Sequence, residues 1–118
     1  MKDTAVLLII FNRPDTTQKV FEAIRKAKPK KLFVASDGAR INKDGEKEKC
    51  EECRRIATNV DWECELHTLF RDENVGCGRG PSEAISWMFQ FTDRAIILED
   101  DCMPSESFFP FGLSFLYR

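Results

Sequence analysis

The run Ala5-Val6-Leu7-Leu8-Ile9-Ile10-Phe11 is apolar at every position. A strand with one wet face alternates polar and apolar residues. A strand without alternation is covered on both faces, as the inner strands of parallel sheets are. The rest of the chain supplies the cover. Pro14 and Asp15 open a helix, with Asp15 and Gln18 at the spacing of a capping box. Val20, Phe21, Ile24 and Ala27 follow at helical spacing, and Pro29 ends the unit. Lys31 to Ser36 is a second strand, ending at Asp37-Gly38. Residues 39–47 are polar and form a loop, and the charged helix after it has Cys50, Cys53, Ile56 and Ala57 on one side. Trp62, Cys64, Leu66, Thr68 and Phe70 alternate with Glu63, Glu65 and His67, the pattern of a half-exposed edge strand. A glycine-rich turn, residues 74–81, precedes a helix whose inner face is Ile85, Met88 and Phe89, with Trp87 and Phe91 as extra apolar surface. Arg94 to Leu98 is a fourth strand, and Ser105 caps a last helix carrying Phe108, Phe109, Phe111, Leu113, Phe115 and Leu116.

This βαβαβαβα order predicts a single α/β domain over residues 1–118, with a parallel four-stranded sheet covered by helices on both faces. Right-handed crossovers leave few topologies. The nucleotide-binding half of a doubly wound sheet has strand order 3-2-1-4, so strands 1 and 4 are neighbours and the winding reverses between them. Ligands bind beyond the carboxyl ends of the strands at that switch point. Asn12-Arg13-Pro14 follows strand 1 and Glu99-Asp100-Asp101 follows strand 4, so both reach the same crevice.

Charge and hydropathy narrow the partners. Lys and Arg number 18 against 20 Asp and Glu, a net charge of −2 that leaves no basic footprint for nucleic acid. No apolar run reaches the roughly 18 residues of a membrane span. Ala5 to Phe11 lacks the cleavage site of a signal peptide. Five cysteines, an odd number, fit reduced thiols and a cytoplasmic location.

The chemistry concentrates at Ile96-Ile97-Leu98-Glu99-Asp100-Asp101. Adjacent carboxylates about 5 Å apart repel by roughly 3 kcal/mol at an effective dielectric of about 20. A solvated turn relieves this, and so does a divalent cation. Mg²⁺ and Mn²⁺ suit a few carboxylates plus substrate phosphates. Alternation puts Glu99 and Asp101 on one side and Asp100 on the other, so only part of the trio can face one ion. Asp37 stands where dinucleotide-binding folds hold a ribose hydroxyl, but Asp-Gly is equally a tight turn with Gly38 at positive φ. Gly76-Cys77-Gly78-Arg79-Gly80 runs into a helix start that suits an anion, or is a plain flexible turn. Cys50 and Cys53, with two glutamates between them, read as a buried helix side and not as a redox pair. His67, the only histidine, falls on the charged side of its strand, which disfavours a histidine-dependent triad.

Four segments together resemble the N-terminal half of a GT-A-fold glycosyltransferase: Leu7-Leu8-Ile9-Ile10-Phe11-Asn12-Arg13-Pro14, Ala35-Ser36-Asp37-Gly38, residues 74–80, and the stretch from Ile97 through Glu99-Asp100-Asp101 to Phe108-Phe109. The last is most similar to the N-acetylglucosaminyltransferase I group and to bacterial nucleotide-diphospho-sugar transferases of that kind. The resemblance implies a nucleotide-diphosphate-sugar donor, Mn²⁺ or Mg²⁺, and an acceptor that is a saccharide, a lipid-linked saccharide or a protein. It implies that Asp101 ligates the metal and that Glu99 and Asp100 contact ribose, sugar or metal-bound water. Asp37 would hold base or ribose, and Arg13 and Arg79 would meet base or diphosphate, with Asn12 beside them. Such enzymes carry their acceptor site and catalytic base further along the chain, which here corresponds to positions beyond Arg118. No residue of this sequence is therefore expected to be the catalytic base. The expectation is a truncated, donor-binding part that transfers no sugar alone and self-associates through its apolar C-terminal segment. A nucleotidyltransferase would use the same acids, although it would usually show a glycine- and lysine-rich loop after strand 1. A response-regulator-like module would place its acids after the first strand. A non-catalytic assembly fragment is the third alternative.

Overall fold

A computed structural model describes residues 5–76, 79–100 and 116–117. The elements are β1 (Ala5–Ile10), α1 (Pro14–Ala27), β2 (Lys31–Ser36), α2 (Glu46–Ala57), β3 (Glu65–Phe70), α3 (Arg79–Met88), β4 (Ala95–Glu99) and β5 (Leu116–Tyr117). The first four strands are parallel in the order β3-β2-β1-β4, as the βα alternation predicts. The two-residue β5 adds antiparallel to the outer edge of β4, Leu116 opposite Ile96 and Tyr117 opposite Ala95. Leu116 is thus a strand residue and not part of the expected last helix. Ser105 and the phenylalanines between it and Leu116 lie outside the described residues. So do Cys77, Gly78, Asp101 and, apart from Leu116, the expected association segment. Arg118, the position beyond which the catalytic base is expected, also lies outside them, and the described residues do not bear on that expectation.

Both faces of the sheet are covered. Because side chains alternate along a strand, Val6, Leu8 and Ile10 face one way, with Leu32, Val34, Ile96 and Leu98. They meet Val20, Phe21 and Ile24 of α1 and Cys53, Ile56 and Ala57 of α2. Ala5, Leu7, Phe33, Ala35 and Ala95 face the other way, against Ala84 and Met88 of α3. Each large side chain buried this way contributes about 1.5–3 kcal/mol. Two wholly apolar faces explain why β1 and β2 carry no alternation. Ala84 replaces Ile85 and Phe89 as the partner of Met88, and those two are only partly buried.

The local signals correct the sequence reading in several places. Pro14 occupies the first turn of α1 and makes Arg13 the N-cap, so Asp15 falls inside the first turn and no side chain caps the helix. Gln18 donates to Glu22 instead. β3 begins at Glu65, later than Trp62. Trp62 packs on Phe21 at 5.9 Å between ring centroids, and its Nε1 donates to the Pro29 carbonyl. β4 ends at Glu99, one residue beyond the expected strand, with Glu99 opposite Ile9. His67 is not on a purely charged face: its ring stacks on Phe33 at 4.8 Å and touches Phe91 at 4.6 Å, while Glu65 lies 2.6 Å from Nε2. No helix among the described residues is long and apolar enough to cross a membrane.

Candidate functional site

A cleft of about 370 Å³ opens beyond the carboxyl ends of β2, β1 and β4. Ile9 and Ile10 come from the end of β1, Ala35 and Ser36 from β2 and Glu99 from β4, with Phe11, Asp37 and Asp100 each the residue just after its strand. Arg40, Leu69, Arg71, Asn74, Gly76, Gly80 and Pro81 complete the lining. Since β1 pairs with β2 on one side and β4 on the other, the cleft lies at the switch point of the sheet.

Of the residues expected there, Asp37, Glu99 and Asp100 line the cleft. Asp37 is already fully engaged. Its Oδ1 accepts the N–H groups of Gly38 and Val75, both at 2.8 Å. Its Oδ2 accepts the N–H of Gly76 at 3.0 Å and the Asn74 amide at 3.2 Å. A carboxylate offers about four acceptor positions, and the β3–α3 loop together with Gly38 takes them all. Asn74 also donates to the Gly38 carbonyl at 2.9 Å. Asp37 is therefore the clamp that holds the loop against β2. Gly38 is needed for close approach and not for positive φ: a Cβ there would lie 2.5 Å from the Glu73 carbonyl carbon. Gly76 does sit at positive φ, +96°.

Asp100 is half-buried. Its backbone N–H donates to the Ile9 carbonyl, and its Oδ2 accepts the Phe11 N–H at 3.2 Å. This fixes the carboxylate across the β1–β4 seam, whereas Glu99 is exposed. Among the described residues no three His, Cys, Asp or Glu side chains come together to hold an ion. Glu99 and Asp100 are the described carboxylates at the end of β4 that could serve a cation completing its shell with water and ligand phosphates. Asp101, the expected ligand, lies outside the described residues.

Asn12, Arg13 and Arg79 are absent from the cleft lining. Arg13 contributes its carbonyl to the start of α1, accepting from Thr17 N–H at 2.9 Å. Arg79 is largely exposed and pairs with Glu83 at 2.5 Å, which keeps the Glu83 carboxyl below its ordinary range. Asn12 donates through Nδ2 to Glu46 at 3.0 Å.

The cations that do line the cleft are Arg40 and Arg71. Glu46, only 4% exposed, receives Arg40 Nη2 at 2.8 Å, Arg40 Nε at 3.1 Å on both oxygens, and the Arg40 backbone N–H at 3.2 Å. Hydrogen bonds from Arg40 hold the Glu46 carboxyl below the usual range. Arg71 donates to Glu83 at 2.5 Å, and its backbone N–H reaches the Ser36 carbonyl. Arg54 braces the same region. Its Nε donates to Ser36 Oγ at 3.0 Å, and its Nη2 to the carbonyls of Asp37 and Arg71. Arg40 and Glu46 lie in or beside a polar loop without periodicity, and only their distance in space reveals the pair. The thiols of Cys50 and Cys53 are buried, and burial pushes Cys50 up to about 11, a poor nucleophile.

Comparison with models of known protein families, with curated proteins and with solved structures finds no match for this chain.

Proposed function

We propose that this chain binds a nucleotide-diphosphate sugar as the donor-binding part of a glycosyltransferase, with Mn²⁺ or Mg²⁺ as cofactor. One observation carries the reading: the switch-point cleft is lined by Glu99 and Asp100, immediately before Asp101. In this reading Phe11 N–H orients Asp100, and Glu99 and Asp100 take metal-bound water or ribose. A divalent cation held there would supply positive charge to offset that of a departing diphosphate. Asp37 acts by holding the β3–α3 loop in place beside the ligand. The acceptor in this reading is a saccharide, a lipid-linked saccharide or a protein. The free thiols of Cys50, Cys53 and Cys64 suit the reducing cytoplasm.

Calorimetric titration with a panel of nucleoside diphosphates tests this. Binding should require Mn²⁺ or Mg²⁺ and should be lost in Asp101→Asn. Undiminished metal-dependent binding by folded Asp101→Asn protein would refute the role of that carboxylate, and no binding of any nucleoside diphosphate would refute the donor reading.

A further inference from the structure

Arg40 and Arg71 line the switch-point cleft and also a second depression, of about 470 Å³, that runs along the start of α2. They are the basic residues common to the two, and so form a shared wall. A guanidinium carries five N–H donors in a fixed fork. Glu46 takes two from Arg40: the Nε–H, shared between both carboxylate oxygens, and one N–H of Nη2. Glu83 takes one from Arg71. Among the described residues no other side-chain hydrogen bond engages either guanidinium, so several donors remain on each. Glu46 is buried, while the Arg40 side chain is 47% exposed. The glutamate thus anchors one edge of the fork and leaves the rest at the cleft. Phe11, another lining residue, supports Arg40 from below, its ring 5.7 Å from the guanidinium carbon. The other charged lining groups are carboxylates. Asp37 has no acceptor position left, and Glu99 and Asp100 come from the end of β4.

We infer that Arg40 and Arg71 form the anion-binding wall of the cleft and grip the diphosphate of the nucleotide ligand, each guanidinium held in register by its glutamate, Glu46 or Glu83. The inference rests on the reading of the cleft as a nucleotide-diphosphate site, and it moves the phosphate contacts away from Arg13 and Arg79. Planar forks that donate two parallel N–H groups match phosphate oxygens in a way a lysine cannot.

The test is calorimetry on wild type, Arg40→Gln, Arg71→Gln and Arg40→Lys. Each is titrated with inorganic pyrophosphate without metal, and with nucleoside diphosphates with and without Mn²⁺. A hydrogen bond to a charged group is worth enough that each Gln variant should weaken pyrophosphate and diphosphate binding about 10- to 100-fold. The salt dependence should become shallower with each lost cation. Arg40→Lys, which keeps the charge and loses the fork, should fall between. If Arg40→Gln fails to fold because Glu46 is left buried without its partner, Arg71→Gln and Arg40→Lys carry the test. Diphosphate affinities of folded variants within about twofold of wild type would overturn the inference while leaving a metal-dependent donor site standing. Pyrophosphate binding that is lost in the variants, with no nucleoside diphosphate helped by metal, would uphold the anion wall and overturn the donor reading. No binding of either ligand to wild type would overturn both.

Discussion

Gly38→Ala should be the most damaging single methyl group that can be added near the cleft. The new Cβ would stand 2.5 Å from the Glu73 carbonyl carbon, 2.7 Å from its oxygen and 2.8 Å from the carbonyl carbon of Asp72. Ordinary contact begins near 3.4 Å, and all three atoms are backbone, so no rotamer change relieves the clash. The β3–α3 loop must retreat by close to 1 Å. That retreat stretches the 2.8 Å bond from Val75 N–H to Asp37 and the 3.0 Å bond from Gly76 N–H beyond hydrogen-bonding range. Overpacking costs about 1–3 kcal/mol, and a lost hydrogen bond to a charged group about 1.5–3 kcal/mol. The chain will take the cheaper compromise, so the expected loss is about 2–4 kcal/mol. Set against a total stability of about 5–15 kcal/mol, this lowers Tm by about 10–25 °C. Urea unfolding followed by tryptophan fluorescence and circular dichroism would measure it, with the midpoint falling at constant m-value. A Gly38→Ala protein within about 0.5 kcal/mol of wild type would refute both the clamp and the close approach that makes it possible.

Gly80→Ala is the opposite case. The added methyl meets Val75 Cγ2 at 3.6 Å and Asp37 Oδ2 at 3.7 Å, which is ordinary contact. Inside a helix it should therefore raise stability by up to about 1 kcal/mol, and a loss in the same urea assay would count against the packing described. Replacing Cys50 and Cys53 together by Ala should cost about 1–3 kcal/mol through lost burial, and stoichiometric zinc released by that substitution would contradict their structural role. Burial raises the Cys50 thiol from its ordinary value near 9 to about 11. Its contribution to stability is therefore complete below pH 9 and declines as the pH climbs toward 11, a decline that the double substitution should reduce in alkaline unfolding curves. The Glu46 carboxyl is held low by Arg40, so its contribution is present above its ordinary value near 4.5 and disappears as the pH falls through the folded value. Glu46→Gln should flatten that acid limb, and an unchanged limb would show that the pair contributes nothing to pH-dependent stability.

The sheet is legible in the sequence because its signal is continuous. Ala5 to Ile10 and Leu32 to Ser36 are buried on both faces, and nothing in a helix or loop imitates that composition at that length. The order of strands follows from alternation and handedness. Alternation reports burial, however, and not pairing. Trp62 and Cys64 keep the rhythm of β3 but pack on the core before the ladder begins at Glu65. His67 carries the rhythm of a charged face, yet that face meets Phe33 and Phe91. Topology alone places the crevice, and Glu99 and Asp100 with it. It does not place the cations. Arg13 and Arg79 stand next to recognisable turns, which is what draws attention to them. Arg40 and Arg71 owe their position to Glu46 and Glu83, distant or aperiodic partners that only the folded chain brings together. Gly38 invites the commoner explanation of glycine, positive φ, because the approach of residues 72–73 is a tertiary contact.

The clamp at Asp37 also bears on how tightly the cleft can bind. A loop that orders only when a ligand arrives charges its conformational entropy against binding, at about 1–2 kcal/mol per residue fixed. Here the amides of Val75 and Gly76 and the side chain of Asn74 are tied to one carboxylate at the end of β2. That ordering is completed when the chain folds. The ligand proposed for the cleft would therefore meet residues 74–76 already ordered, and its contacts would translate into affinity with little deduction for arranging them.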